Sequence, residues 1–61
     1  MNKLRETRLD KERSMQFIAD ELGITRQRYQ QMEENPSRIR IDQAIAIGKA
    51  LETDPSRIFF D

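Results

Sequence analysis

The chain contains no cysteine, no histidine and no tryptophan. Without cysteine there is no disulfide, no thiolate zinc site and no cysteine nucleophile. Without histidine, the commonest metal ligand and the commonest general base near neutral pH are both missing. These absences point away from an enzyme, and no metal, cofactor or small-molecule ligand is expected. No apolar run approaches the roughly 20 residues of a membrane span, and no secretory pattern opens the sequence. A soluble, cytoplasmic protein without membrane contact is the expectation. An excess of one charge is also lacking: 11 basic residues balance 11 acidic ones. Nucleic-acid binders are usually basic, so the balance by itself favours a mixed, solvated surface. Its distribution leaves a second reading open. Arg26, Arg28, Arg38 and Arg40 face only Glu33 and Glu34 between Ile24 and Ile41, while acids collect at Asp20-Glu21 and after Asp42. One basic face is compatible with that spacing.

At 61 residues the chain is expected to form one domain, 1–61, whose core must be compact. Glycine and proline occur twice each, and β-branched residues do not alternate, so the sequence reads as helix throughout. A first helix is expected over about Asn2 to Leu9, with Leu4, Arg8 and Leu9 at helical spacing. A polar connection, Asp10 to Arg13, follows it. Ser14 caps a second helix, Met15 to Leu22, with Ile18, Ala19 and Leu22 on one face. Gly23 ends it in the left-handed conformation. Thr25 caps a third helix, Arg26 to Glu34, which turns Tyr29 and Met32 inward. Asn35-Pro36 stops that helix, with Asn35 suited to a left-handed position. A fourth helix, Asp42 to about Leu51, is expected to bury Ile41, Ala44, Ile45, Gly48 and Leu51, with Ile47 partly buried. Asp54 and Pro55 open a short fifth helix, closed on the core by Ile58 and one of Phe59 and Phe60.

The informative unit is residues 14–34. Two short helices joined through Gly23 make a helix-turn-helix, and Ala19 is small enough for the third helix to cross the second closely. The residues Arg8, Ser14, Ile18-Ala19, Leu22-Gly23-Ile24-Thr25-Arg26, Met32-Glu33 and Ile41 through Leu51 resemble the lambda-repressor/Cro-type family, also called the xenobiotic-response-element family. The register runs without a gap from about Leu4 to Phe59. The resemblance implies an all-α, compact five-helix DNA-binding domain. It also implies that the third helix enters the major groove of double-stranded DNA and that Arg26, Gln27, Arg28 and Gln31 read bases. Their chemistry agrees, because Arg can hold guanine through O6 and N7, and Gln can hold adenine through N6 and N7. No acid occurs from Thr25 through Met32, whereas a merely solvated helix face usually mixes in Glu or Asp.

In the family an Arg of the first helix pairs with a Glu ending the recognition helix, which implies a structural Arg8–Glu33 pair. Arg5, one turn away, is the competing partner. Phosphate contacts position without reading sequence. Candidates are Thr25, Gln16 with the N–H groups of Met15 and Gln16 at a helix start, and a clamp of Asn35, Ser37, Arg38 and Arg40. The chain departs from the family at Met15 (often Gln), Arg13 (usually Leu), Asn35 (usually Gly) and Phe17 (usually polar). Phe17 is expected in the core under the first helix, with an exposed contact as the alternative. The family usually acts as homodimers, and the dimer contact is expected at Thr53, Arg57, Phe59 and Phe60. Longer relatives carry a separate oligomerisation or sensing domain, and none is expected here. Function is thus expected to be that of a sequence-specific transcriptional regulator, a repressor more often than an activator. The alternative is a protein-interaction module, such as an antitoxin or an adaptor that keeps the fold.

Overall fold

A computed structural model describes residues 2–60, so the ends of the expected 1–61 domain, Met1 and Asp61, lie outside the described residues. Five α-helices follow in order: α1 (Lys3–Asp10), α2 (Met15–Leu22), α3 (Arg26–Glu34), α4 (Ile41–Ala50) and α5 (Pro55–Phe59). A single 3₁₀ turn, Pro36–Arg38, lies between α3 and α4. Among the described residues, no helix is long and apolar enough to cross a membrane.

α1, α2, α3 and α5 begin where a side-chain oxygen replaces a missing partner for the first-turn N–H groups. Asn2 accepts from Arg5 N–H at 3.0 Å, Ser14 from Phe17 N–H at 3.0 Å, and Thr25 from Arg28 N–H at 3.1 Å. Asp54 accepts from both the N–H and the hydroxyl of Ser56, at 3.0 and 2.9 Å, and these bonds hold its carboxyl below the usual range. At the end of α2, Gly23 takes φ +70°. This left-handed residue lets Ile24 N–H reach back to Ala19 C=O (3.0 Å) and Gly23 N–H to Asp20 C=O (3.2 Å). That paired closure fixes the turn from α2 into α3. Asn35 does not share it: its φ is −137°, because the chain passes directly into the 3₁₀ turn at Pro36 instead of reversing.

α2 packs against α3 and α4, α4 against α5, and α1 against α5. Leu4, Ile18, Ala19, Tyr29, Met32, Ile47, Ala50, Leu51 and Ile58 form the core, with Phe59 half-buried against it. Two expectations are corrected here. Phe17 is not core: it is 37% exposed, and the Arg13 guanidinium covers its ring at 4.8 Å from the centroid. Its helical neighbours at three and four residues are Arg13, Ser14, Asp20 and Glu21, which place it on the polar side of the buried Ile18. The phase of α4 also differs. Ala44, Ile47, Gly48 and Leu51 face the core, while Ile41 and Ile45 are exposed. α4 is apolar around most of its circumference, so its sequence does not fix whether Ile45 or Ile47 flanks the stripe of Ala44, Gly48 and Leu51; the structure buries Ile47. In α1, likewise, Leu4 and Arg8 are buried and Leu9 is exposed.

Tyr29 is fully buried, and among the described residues its hydroxyl has no hydrogen-bond partner. Burial pushes its ionisation far above the ordinary range, with the neighbouring Glu33 carboxylate adding to the shift. A buried unpaired hydroxyl costs about 1–3 kcal/mol. Tyr29→Phe is therefore expected to raise the melting temperature or leave it unchanged. A thermal melt showing a drop of several degrees would mean that the hydroxyl is bonded in solution.

Candidate nucleic-acid interface

The interface is built on a rigid tie between α1 and α3. Glu33, the penultimate residue of α3, is buried and faces Arg8 of α1, also buried. Arg8 Nε donates to Glu33 Oε2 at 2.8 Å and Arg8 Nη2 to Oε1 at 3.0 Å, a bidentate pair. These bonds raise the guanidinium above its ordinary value. Arg8 Nη1 also donates to Arg13 C=O at 2.9 Å, so one side chain holds the α1–α2 loop as well. A second tie is absent from the sequence reading. While Asn2 Oδ1 caps α1, its Nδ2 donates to Glu33 C=O. The only sequence signal for it was an Asn at a helix start, which points to a cap and not to a partner 31 residues away. Arg5 remains exposed and takes no part in the pair.

With the end of α3 fixed, its first two turns project outward. Arg26, Gln27, Arg28 and Gln31 are all exposed, as is Gln30, while Tyr29 and Met32 hold the opposite face in the core. Gln30 donates to Glu34 at 3.2 Å, one turn on. Among the described residues, none of the four candidate reading side chains has a side-chain hydrogen bond or an ion-pair partner.

An open groove of about 500 Å³ runs beside α3. Arg28 and Gln31 line it, and so do Asn35, Arg38 and Arg40. Two candidate readers and three candidate clamp residues therefore share one concave surface. Arg26 and Gln27 lie outside that groove, nearer the α2–α3 turn. Ser37 also lies outside it, lining a different groove with Pro36 and Ile39. Its hydroxyl is 3.4 Å from Asn35 Oδ1. The 3₁₀ turn separates them, because it sends Ser37 to one side and Arg38 to the other.

Gln43 also lines the groove and was not among the sequence candidates. Its Oε1 accepts from Arg40 N–H at 3.0 Å, which fixes the side chain at the start of α4 and leaves its amide N–H groups as donors. The available signal was spacing: a Gln three residues after a helix cap is the reciprocal half of a capping box.

At the start of α2, the N–H groups of Met15 and Gln16 precede the first intrahelical bond, from Ile18 to Ser14 C=O. They are the free donors that a helix opening presents. The Met15 side chain is packed against the core, and Gln16 Nε2 is held by Asp20 Oδ1 at 2.8 Å. Thr25 Oγ1 accepts the cap bond from Arg28 and keeps its own O–H as a donor.

The expected dimer residues do not form one patch. Thr53 and Arg57 line a polar cleft with Glu6, Asp10 and Lys11, whereas Phe59 and Phe60 line an apolar groove with Ile39 and Ile41. The buried Ile58 between Arg57 and Phe59 sets this split, because its neighbours on a helix point to different sides.

Among curated proteins and among solved structures, nothing matches the chain. A protein-family model described as Helix-turn-helix matches residues 4–58, from the buried Leu4 of α1 to the buried Ile58 of α5. With the closed Gly23 turn, the crossing at Ala19 and a match over nearly its whole length, the chain belongs to the lambda-repressor/Cro-type helix-turn-helix family of DNA-binding regulatory domains.

Proposed function

We propose that the chain is a sequence-specific transcriptional repressor that binds double-stranded DNA as a homodimer, with α3 in the major groove. One observation carries this reading. The exposed side chains of the acid-free run from Arg26 to Gln31 adjoin a groove that two of them, Arg28 and Gln31, share with Arg38 and Arg40. Arg26, Gln27, Arg28 and Gln31 are the base readers. Arg38 and Arg40 hold phosphates beyond the end of α3, and Asn35, Thr25, Gln43 and the opening N–H groups of α2 add neutral contacts. Occupying a promoter in this way excludes other proteins from it, which is the simplest route to repression. Ser37 belongs to the neighbouring groove and is assigned no phosphate.

Zero net charge makes this affinity local in origin. The field over one face, not the total charge, governs approach. Selection from random duplexes is expected to return one preferred site. Affinity for that site should fall steeply with salt, at about −0.9 in log–log slope for each phosphate neutralised. A flat salt response, or no selected duplex, overturns the reading. Within the selected site, Gln27→Ala should relax preference at one or two base pairs, by about 1–3 kcal/mol of discrimination. Arg38→Ala should instead weaken all sequences alike and reduce the salt slope by about one. A uniform loss from Gln27→Ala would remove Gln27 from the reading set.

A further inference from the structure

Pro36 ends α3 and leaves one carbonyl without its ordinary partner. In a continuing helix Glu33 C=O would accept from Ser37 N–H, four residues on. Here the chain turns instead. Asn35 N–H closes back on Gln31 and Met32 C=O, at 3.1 and 3.3 Å, and Arg38 and Ile39 N–H close the 3₁₀ turn on Asn35 and Pro36 C=O, both at 3.1 Å. Ser37 N–H does not reach Glu33 C=O, and the side-chain amide of the half-buried Asn2 does. Asn2 Oδ1 accepts from Arg5 N–H at the same time, so one donor and one acceptor fix which way the amide faces. The stretch from Asn35 to Arg40 then runs to a second amide anchor, Gln43 Oε1 on Arg40 N–H at 3.0 Å. Between the two anchors stand Arg38 and Arg40, both exposed and both lining the groove with Arg28 and Gln31.

We propose that Asn2 is a positioning residue for DNA binding: by holding Glu33 C=O it sets how the chain leaves α3, and so where Arg38 and Arg40 stand relative to Arg28 and Gln31. This assignment rests on the DNA reading above. Its task differs from that of Arg8. Arg8 holds the Glu33 carboxylate and ties the helix to α1. Asn2 holds the Glu33 carbonyl, which orients the peptide plane after Glu33 and hence the direction of exit. The task also differs from capping. A cap needs only an oxygen, and Ser, Thr or Asp supplies one as well as Asn does. The N–H donor of Asn2 is the part that reaches α3. Because hydrogen bonds weaken steeply with misalignment, a small swing of the exit is enough to take an arginine off its phosphate.

Asn2→Ser separates the two tasks, since it keeps a cap oxygen and removes the amide donor. On the duplex selected by the wild type, its affinity should fall about fivefold, as for one weakened hydrogen bond. The log–log salt slope should shrink by up to about 0.9, one phosphate contact. Preference among bases should not change. In an Arg38→Ala/Arg40→Ala background the same substitution should have no further effect, and the double-mutant cycle reads that coupling. Without DNA, amide hydrogen exchange at Arg38 and Ile39 should be about fivefold faster in Asn2→Ser, while exchange at Ile18 in α2 is unaltered. Circular dichroism checks that the variant is folded, and Asn2→Asp, which also caps but cannot donate, takes its place if it is not. Unchanged exchange at Arg38 and Ile39 overturns the proposal. So does unchanged affinity, or an equal loss with and without the two arginines, which is what a merely stabilising Asn2 would give. A wild type that selects no duplex, with exchange accelerated as expected, refutes the DNA reading and leaves the anchor standing.

Discussion

Glu33→Ala is expected to lower the unfolding free energy by about 3 kcal/mol or more. The variant leaves the Arg8 guanidinium buried, charged and without its carboxylate. Breaking a buried pair from one side is costly for that reason, much more than the net worth of the pair. In a domain of 61 residues, such a loss lowers the melting temperature by at least about 12 °C. Replacing both partners tells the two contributions apart. In Arg8→Met/Glu33→Leu no charge remains to be desolvated, and the double variant should be more stable than Glu33→Ala alone. What it cannot restore is the Arg8 bond to Arg13 C=O, so the α1–α2 loop loosens. A double variant as unstable as the single one would show that packing, not an orphaned charge, is what Glu33 supplies. At temperatures where Glu33→Ala is still folded, DNA affinity should fall for all sequences alike, since the change releases the end of α3 without touching Arg26 or Gln27.

How much of this was legible in the sequence depends on which interaction decides each feature. Ser14, Thr25 and Asp54 could be read as caps because the deciding bond is local, spanning two or three residues. Gly23 was legible for the same reason: its φ of +70° is a backbone demand with few solutions. Glu12 and Glu52 meet the same demand, at φ 56° and 52°, yet carry no sequence mark, because Glu has no preference for that region. The phase of α4 was not legible. Apolar residues stand on both sides of the stripe of Ala44, Gly48 and Leu51, and only packing against the rest of the fold buries Ile47 and leaves Ile45 exposed. The same holds for Asn2, whose cap is local but whose bond to Glu33 C=O depends on where α3 ends in space. At the candidate interface, residue types could be read and grouping could not. Ser37 sits next to Arg38 in sequence but in a different groove, and Arg57 sits two residues from Phe59 on a different face.

Gly48→Ala is expected to destabilise the fold by about 2 kcal/mol, although Ala is the better helix former by about 1 kcal/mol. A Cβ at Gly48 would lie 2.7 Å from Pro55 Cγ and 2.8 Å from Thr53 C=O. One obstacle is backbone and the other a closed ring, so neither yields by rotating a side chain. Relief has to come from moving the α4–α5 turn. That turn is closed by Thr53 N–H donating to Gly48 C=O at 2.9 Å, and the movement strains the same bond. Gly23 gives the contrast. A Cβ there meets nothing within 4 Å, and only φ resists a side chain. Gly23→Asn should therefore be tolerated nearly as well as glycine, since Asn enters the left-handed region readily. Gly48→Asn should be worse than Gly48→Ala, since it adds bulk where space is the limit. Thermal melts of the three variants give the order directly, and a Gly48→Ala as stable as wild type would mean that α5 is not held as closely as described.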